Sequence, residues 1–461
     1  MRVAHVVRVP IAVDRDSNQP LCRQIVDQLK SAIEAGTLSA GSELPSSRAL
    51  AQMLQVSRTV TVTAYTELFA LDYLRAEPGA GTFVADAVRK PNGHSKPESI
   101  RRRHTIDFSP GRPNTEAFPV AAWRSAWQRA SYAPPSGTHA PPLGLSFLRE
   151  QVAAHLTRTR GLGCQPDQIV ITNGLFHGMD LLAQLMADSG KPAVIEDPTH
   201  PLVHSILNAR GITTFPVPVD HHGARIDRLP DGAGLAVVTP SHQFPLAGSM
   251  PLARRHALLA WAARNNTVLV ELDMANDLHG HDAFLPCLWS LRSNDSVVHL
   301  GTFEHLFSPD LPLGYLVLPG RLVQAAEAQI ALTKAHPSTL AQRAAQELFT
   351  SGEVARYTNR LHRSYQQKRR IVEEALHPAS AMRLSGLAGS HVAVHLECDV
   401  SAESISGELA RRSIIAPAAA KYFHTGTCDS NALILGFGHL TNSDLKRGLA
   451  AIKDSVCSRP C

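Results

Sequence analysis

Ile25, Leu29 and Ile33 recur at every fourth position of the segment 20–38, a spacing that predicts one buried face of a helix. Leu50, Ala51 and Leu54 mark a second such face, and Val60, Ala64, Leu68 and Leu71 a third, so 44–74 reads as helix, tight turn, helix. Ser46 or Ser47 caps the first of these two helices, Gln55 and Val56 occupy the turn, and Ser57 caps the second. Residues 74–85 read as a short strand, a Pro-Gly-Ala-Gly turn and a second short strand, which makes a hairpin.

Beyond position 105 the pattern changes. Runs that are apolar throughout, "QIVIT" (168–172), "PAVIE" (192–196), "GLAVVTP" (234–240), "TVLVELD" (267–273), "SVVHLGTF" (296–303) and "LGYLVLP" (313–319), predict buried strands. Amphipathic stretches such as "LSFLREQVAAHLTRT" and "ARRHALLAWAARN" lie between them. Strand and helix in alternation predict an α/β fold with a mostly parallel sheet covered on both faces. Three sections result: a helical unit with a hairpin at 15–86, a linker at 87–105 holding Pro91, Gly93 and Pro97, and an α/β unit at 106–461. The last divides into a large part, about 106–345, and a small part, about 346–455.

Composition is that of an ordinary globular chain: 461 residues, 44% apolar and 18% charged. No apolar run approaches the roughly 18 residues of a membrane span, and the acidic Asp14 and Asp16 interrupt any signal-like start. A cytoplasmic setting is expected. Seven cysteines at irregular spacings suggest neither a disulfide framework nor a zinc site. The net charge of +5 is localised, because residues 87–105 hold six Lys or Arg and one Glu. Such a stretch either adds attraction to phosphates or keeps a solvated linker extended.

The helix pair with a hairpin suits duplex DNA, since the second helix of such a pair enters the major groove with its first residues on base edges. Those residues are Ser57, Arg58, Thr59 and Thr61. Arginine reads guanine bidentately and the hydroxyls reach bases or phosphates. Arg48 in the preceding helix is placed to clamp the backbone, and Gly79 and Gly81 let the hairpin tip approach the duplex. A helical packing module that never meets DNA is the competing reading. The stretch "LPSSRALAQMLQVSRTVTVTAY" with "GAGTFV" resembles the winged helix-turn-helix of the GntR family. The resemblance implies operator contacts by Arg48, Ser57, Arg58, Thr59 and the wing glycines. Val60 and Val62 depart from it, standing where relatives often carry polar or basic side chains.

"DFSPGRPNTEAFPVAAWRSAW" (107–127), "TPSHQFPLAGSMPLARRHALLAWA" (239–262) and "GTFEHLFSPDLPLGYLVLP" (301–319) are similar to the MocR branch of that family. There a fold-type-I, PLP-dependent-transferase-like domain follows the DNA-binding unit and acts in a dimer. The resemblance implies pyridoxal phosphate (PLP), but the residues here depart from each anchoring motif. The family's "GTFSK" reads "GTFEH", with His305 at the lysine and Glu304 at the serine. An imidazole has no primary amine and forms no stable imine. Of Lys191, Lys334, Lys368, Lys421, Lys446 and Lys453, none follows a strand in such a turn. Pro312 replaces the arginine that meets the phosphate, Leu272 the carboxylate that faces the ring nitrogen, and Met274 a tyrosine. Asp273 is next on the strand and so points to the other face. Losing two charge-assisted partners costs about 3–6 kcal/mol. Leu175, Phe176 and His177 stand in a turn that carries hydroxyl and amide groups in relatives, His200 replaces an aromatic residue near the ring, and Ile434 removes a substrate-carboxylate charge.

The expectation is a regulator that binds double-stranded operator DNA as a homodimer and has no membrane contact. Its remodelled cleft of Asn173, Gly174, His177, His200, His242, Asp273 and His305 would hold no covalent PLP and no catalytic residue; it takes a small effector or serves only as a dimer scaffold, and the helix start at Gly174 keeps a weak attraction for anions. Two alternatives stay open. One is a PLP-binding regulator or aminotransferase with a non-covalent or displaced cofactor. The other is an acid-base cluster of Glu304, His305 and Asp273 with His200 or His242. The "LHGHD" histidines (278–282) are weak evidence for a metal.

Overall fold

The computed structural model describes residues 11–15, 17, 19–71, 73–77, 81–85, 105–132, 134, 137–274, 285–292, 295–308, 310–376, 381–386, 389–397, 401–426 and 430–457. Gly79, the linker up to position 104 and the histidines of 278–282 lie outside these residues. Two compact units divide after Arg102.

The first unit contains α1 (Leu21–Glu34), β1 (Glu43–Leu44), α2 (Ser47–Leu54), α3 (Arg58–Ala70), β2 (Leu74–Glu77) and β3 (Gly81–Val84). The strands form an antiparallel sheet in the order β1-β3-β2. Ile25, Leu29 and Ile33 are buried as their spacing predicts, and they meet Leu50, Ala64 and Leu68 in one core. Ser46, not Ser47, caps α2: its hydroxyl accepts the Ala49 N–H at 3.2 Å. Gln55 ends that helix in the left-handed region at φ +52°. Ser57 holds the cap position of α3 without a capping bond from its side chain.

The inward face of α3 is rotated from the predicted one. Leu71 is 44% exposed, whereas Thr61 is fully buried and Tyr65 nearly so. Leu71 is the residue on which the helix ends, so it no longer follows the helical stripe. Two hydrogen bonds fix the actual face. The Thr61 hydroxyl donates to the carbonyl of Ser47 at 2.8 Å, and the Tyr65 hydroxyl donates to that of Pro45 at 2.7 Å. Both lash α3 to the start of α2. Tyr65→Phe should therefore cost about 1–2 kcal/mol of stability, read by denaturant titration, because the Pro45 carbonyl loses its partner.

The second unit runs β4 (Ile106–Asp107), α4 (Val120–Tyr132), α5 (Ser146–Arg160), β5 (Ile169–Thr172), α6 (Gly174–Met186), β6 (Ala193–Asp197), α7 (Pro201–Ala209), β7 (Thr214–Asp220), β8 (Gly223–Ala224), β9 (Leu235–Val238), α8 (Leu252–Asn265), β10 (Val268–Asp273), α9 (Leu288–Leu291), β11 (Val297–Thr302), β12 (Gly314–Val317) and α10 (Gly320–Thr333). It continues with α11 (Thr339–Thr350), α12 (Glu353–Leu376), β13 (Met382–Ser385), β14 (His391–Leu396), α13 (Ala402–Arg411), β15 (Ile414–Ile415), β16 (Ala432–Gly436) and α14 (Asn442–Cys457).

Eight strands form the central sheet in the order β5-β12-β11-β10-β9-β6-β7-β8. The run from β11 to β7 is parallel, while β12 and β8 are antiparallel to their neighbours. All six apolar runs became strands of this sheet. Each is buried along its whole length because helices cover both faces. On β10, Val268, Val270 and Leu272 join the core on one face and Leu269 the core on the other. The pattern did not predict β7, where Pro216 and Pro218 interrupt "TFPVPVD" close to the sheet edge. The small part packs the antiparallel sheet β13-β14-β16 with α12, α13 and α14. The expected break at 345/346 falls inside α11, and α12 carries the chain across. No described helix is long and apolar enough to cross a membrane.

Candidate functional site

On the first unit, Arg48, Ser57, Arg58 and Thr59 are exposed, the last three at the start of α3. Among the described residues neither Arg48 nor Arg58 spends its guanidinium on a protein partner. Val62 is 42% exposed on the same side, an apolar surface of the kind that meets a thymine methyl. Gly81 lies exposed on the hairpin at φ +131°, a conformation that side chains rarely adopt. Thr61 is a correction. Its side chain is fully buried and its hydroxyl bonds to Ser47 and Arg58 carbonyls, so it holds the helix pair together and presents nothing to DNA.

On the second unit, a cavity of about 130 Å³ opens beside the ends of β10 and β11. His200, His242, Asp273 and His305 line it, as expected, together with Glu304. Asn173, Gly174 and His177 are a further correction, for none of them is on the wall. The His177 Nδ1 accepts the Asn173 N–H at 3.0 Å, so these residues build the turn into α6. The apolar part of the wall is Leu175, Phe176, Phe244, Leu272 and Met274. No lysine or arginine lines the cavity among the described residues. Lys368, the buried lysine of α12, donates instead to the Gly438 carbonyl at 2.6 Å.

The imidazoles have defined roles. The His200 Nδ1 accepts the Leu202 N–H at 3.2 Å at the start of α7, and its ring lies 4.7 Å from Phe176 and 5.4 Å from Phe244. Burial pushes its pKa down to about 4, so the ring is neutral. His391 was not foreseen; it comes from β14 of the small sheet, and no local motif marks it. Its Nε2 lies 3.1 Å from the Pro245 carbonyl, which only accepts, so that nitrogen carries the proton. Burial lowers its pKa to about 4, and its Nδ1 therefore accepts from the His242 Nε2 at 3.3 Å. His200 and His391 are thus neutral rings with assigned tautomers on the polar wall.

The carboxylates on the wall are already engaged. Asp273 Oδ2 meets the Arg160 guanidinium at 3.0 Å and His299 Nε2 at 3.6 Å. Glu271, beside His299 in register, binds its Nδ1 at 3.2 Å and accepts from the Leu288 N–H at 3.1 Å. Burial works against the Glu271 charge, but His299 and the amides outweigh it and hold the carboxyl low. Glu304 sits at the start of α6, where it accepts from the Leu175 amide. Burial pushes its pKa up against that bond and one from Thr302. The contact is close: a Cβ on Gly174, which stands at φ +77°, would collide with Glu304 Oε1.

Both units match known families. Residues 21–84 match the bacterial regulatory proteins of the gntR family, and 103–452 match aminotransferase class I and II. The chain is 34% identical over 457 residues to the HTH-type pyridoxine biosynthesis transcriptional regulator PdxR of Corynebacterium glutamicum, spanning 97% of this chain and 98% of that one. It is 30% identical over 389 residues to the probable rhizopine catabolism regulatory protein MocR of Rhizobium meliloti, 78% of each chain. The chain belongs to the MocR/PdxR-type regulators of the GntR family. An archaeal alanine:glyoxylate aminotransferase shares the fold, with a TM-score of 0.71 at 23% identity over 77% of this chain and 91% of that one.

A MocR-type chain is a DNA-binding transcriptional regulator with an aminotransferase-like domain. One buried group of its second unit titrates near neutrality. Glu196 accepts from the N–H and hydroxyl of Thr239, yet burial raises its pKa to about 7. The folded state then binds a proton that the unfolded chain releases near 4.5. Stability present below pH 4.5 is lost as pH rises to about 7. Tm measured across that window should fall in the parent and stay flatter in Glu196→Gln.

Proposed function

We propose that this MocR-type regulator reads a small molecule in the cavity of its second unit without an imine to PLP and without transamination, and that it acts as a homodimer on an operator with two half-sites. The observation that carries this is the composition of the wall: His305 and neutral imidazoles, with no lysine or arginine among the described lining residues. PLP does not fit these residues. No amine stands among the described lining residues to condense with its aldehyde, Leu272 is apolar where a carboxylate would face the ring nitrogen, and Asp273 is spent on Arg160. What remains suits a flat ring: Phe176 and His200 form one side. The relative from Corynebacterium glutamicum is named for pyridoxine biosynthesis, which makes B6-type rings the first probes.

The test mixes full-length protein with PLP, scans for the imine absorbance, reduces with borohydride and maps peptides. No lysine adduct is expected, and a stoichiometric adduct on one lysine overturns the reading. His305→Lys supplies the amine alone. Transamination should remain undetectable in that variant, measured with amino and keto acid pairs, because Pro312 and Leu272 leave the phosphate and ring nitrogen without partners. Footprinting with and without candidate rings tests the operator and the effector together.

A further inference from the structure

The start of α6 is the natural anion seat of this cavity, and the chain fills it itself. A helix of 13 residues begins at Gly174, its first amides point outward without intrahelical acceptors, and its dipole favours negative charge there. Glu304 comes from the turn after β11 and accepts from the Leu175 amide at that spot. Its Oε1 lies so near Gly174 that even a methyl group would collide with it. The turn is fastened behind it, with the Glu304 N–H donating to Thr302 Oγ1 at 3.1 Å. Pro312 packs against the same glycine and brings no charge.

We propose that the Glu304 carboxylate stands in for a ligand's phosphate at the α6 N-terminus, so that the cavity admits a planar ring that is uncharged or cationic and carries no phosphate. The rest of the wall agrees with that ligand class. An incoming phosphate dianion would meet a resident carboxylate within one helix turn, and like charges repel most strongly where water is displaced. The Leu175 amide that would receive it is already bonded. Neutral imidazoles on His200 and His391 offer no cation to compensate. A flat ring beside Phe176 and Phe244 needs neither the amide nor a cation.

This inference rests on the function proposed above, and its test separates the two. Inorganic phosphate, pyridoxal phosphate and pyridoxal are titrated calorimetrically into the full-length parent, Glu304→Gln and Glu304→Ser, with melting curves recorded for each. Glutamine removes the charge and keeps the shape; serine also empties the seat. Phosphate affinity should rise in the order parent, glutamine, serine, by at least tenfold overall, while pyridoxal affinity changes less than threefold. Equal phosphate affinity in the parent and either folded variant overturns the proposal. So does a parent that binds pyridoxal phosphate ten times more tightly than pyridoxal, a result that needs no variant. A lysine adduct in the borohydride experiment would instead strike the earlier reading, and the phosphate series would still be decided by its own ratios.

Discussion

Arg160→Leu should destabilise the second unit by about 3–5 kcal/mol, the range for removing one partner of a buried ion pair. The guanidinium and Asp273 are 8% and 5% exposed and 3.0 Å apart. Behind them lie His299, fully buried, and Glu271, itself 1% exposed. The substitution leaves two buried carboxylates with the His299 imidazole between them and the buried Arg255 as a remaining cation nearby. Asp273 then loses its direct ion pair while staying desolvated, and that, more than any lost attraction, makes the effect large. Denaturant titration of the single variant gives the cost. Arg160→Leu with Asp273→Leu should recover most of it, because the pair leaves together. A single variant that melts like the parent would show that the network does not hold the end of β10. The consequence for function is positional, since Asp273 and Leu272 are adjacent on β10 and both line the cavity.

Arg58→Ala should weaken binding to the operator by about 1–3 kcal/mol, roughly 5- to 150-fold, if the guanidinium reads a base in the major groove. The side chain is exposed at the first residue of α3, and among the described residues it has no partner within the protein to lose. Stability should therefore stay within about 0.5 kcal/mol of the parent. Arg48→Ala should weaken all DNA sequences alike and reduce the salt dependence of binding by about one unit of slope, the behaviour of a phosphate contact. Thr61→Val is the converse case. It should lower the melting temperature with little change in operator affinity per folded molecule, since its hydroxyl serves Ser47 and Arg58. Electrophoretic shifts at two salt concentrations, with melting curves, distinguish the three. An Arg58→Ala variant that binds the operator as tightly as the parent would remove Arg58 from the reading face.

What the amino-acid order determined by itself was everything set by local periodicity and by the chemical identity of a side chain. Ile25, Leu29 and Ile33 had to share a helix face, and "TVLVELD" had to be a strand buried on both sides. His305 has no primary amine wherever it lies, so that part of the cleft's chemistry was legible without coordinates. Other features depended on residues far apart in the chain. Thr61 looked like a groove contact until the start of α2 came within bonding distance of its hydroxyl. Asp273 had a candidate role until Arg160, 113 positions earlier, took its carboxylate. His391 reaches the wall from β14, although 149 positions separate it from the histidine it bonds. Glu304 read in the sequence as a changed residue in a turn and as one member of an acid-base cluster; only the approach of that turn to α6 made it the occupant of an anion seat. Periodicity reports which face of an element is buried. Which charged group ends beside which is decided by packing, because a buried charge is settled by neighbours the chain brings in from elsewhere.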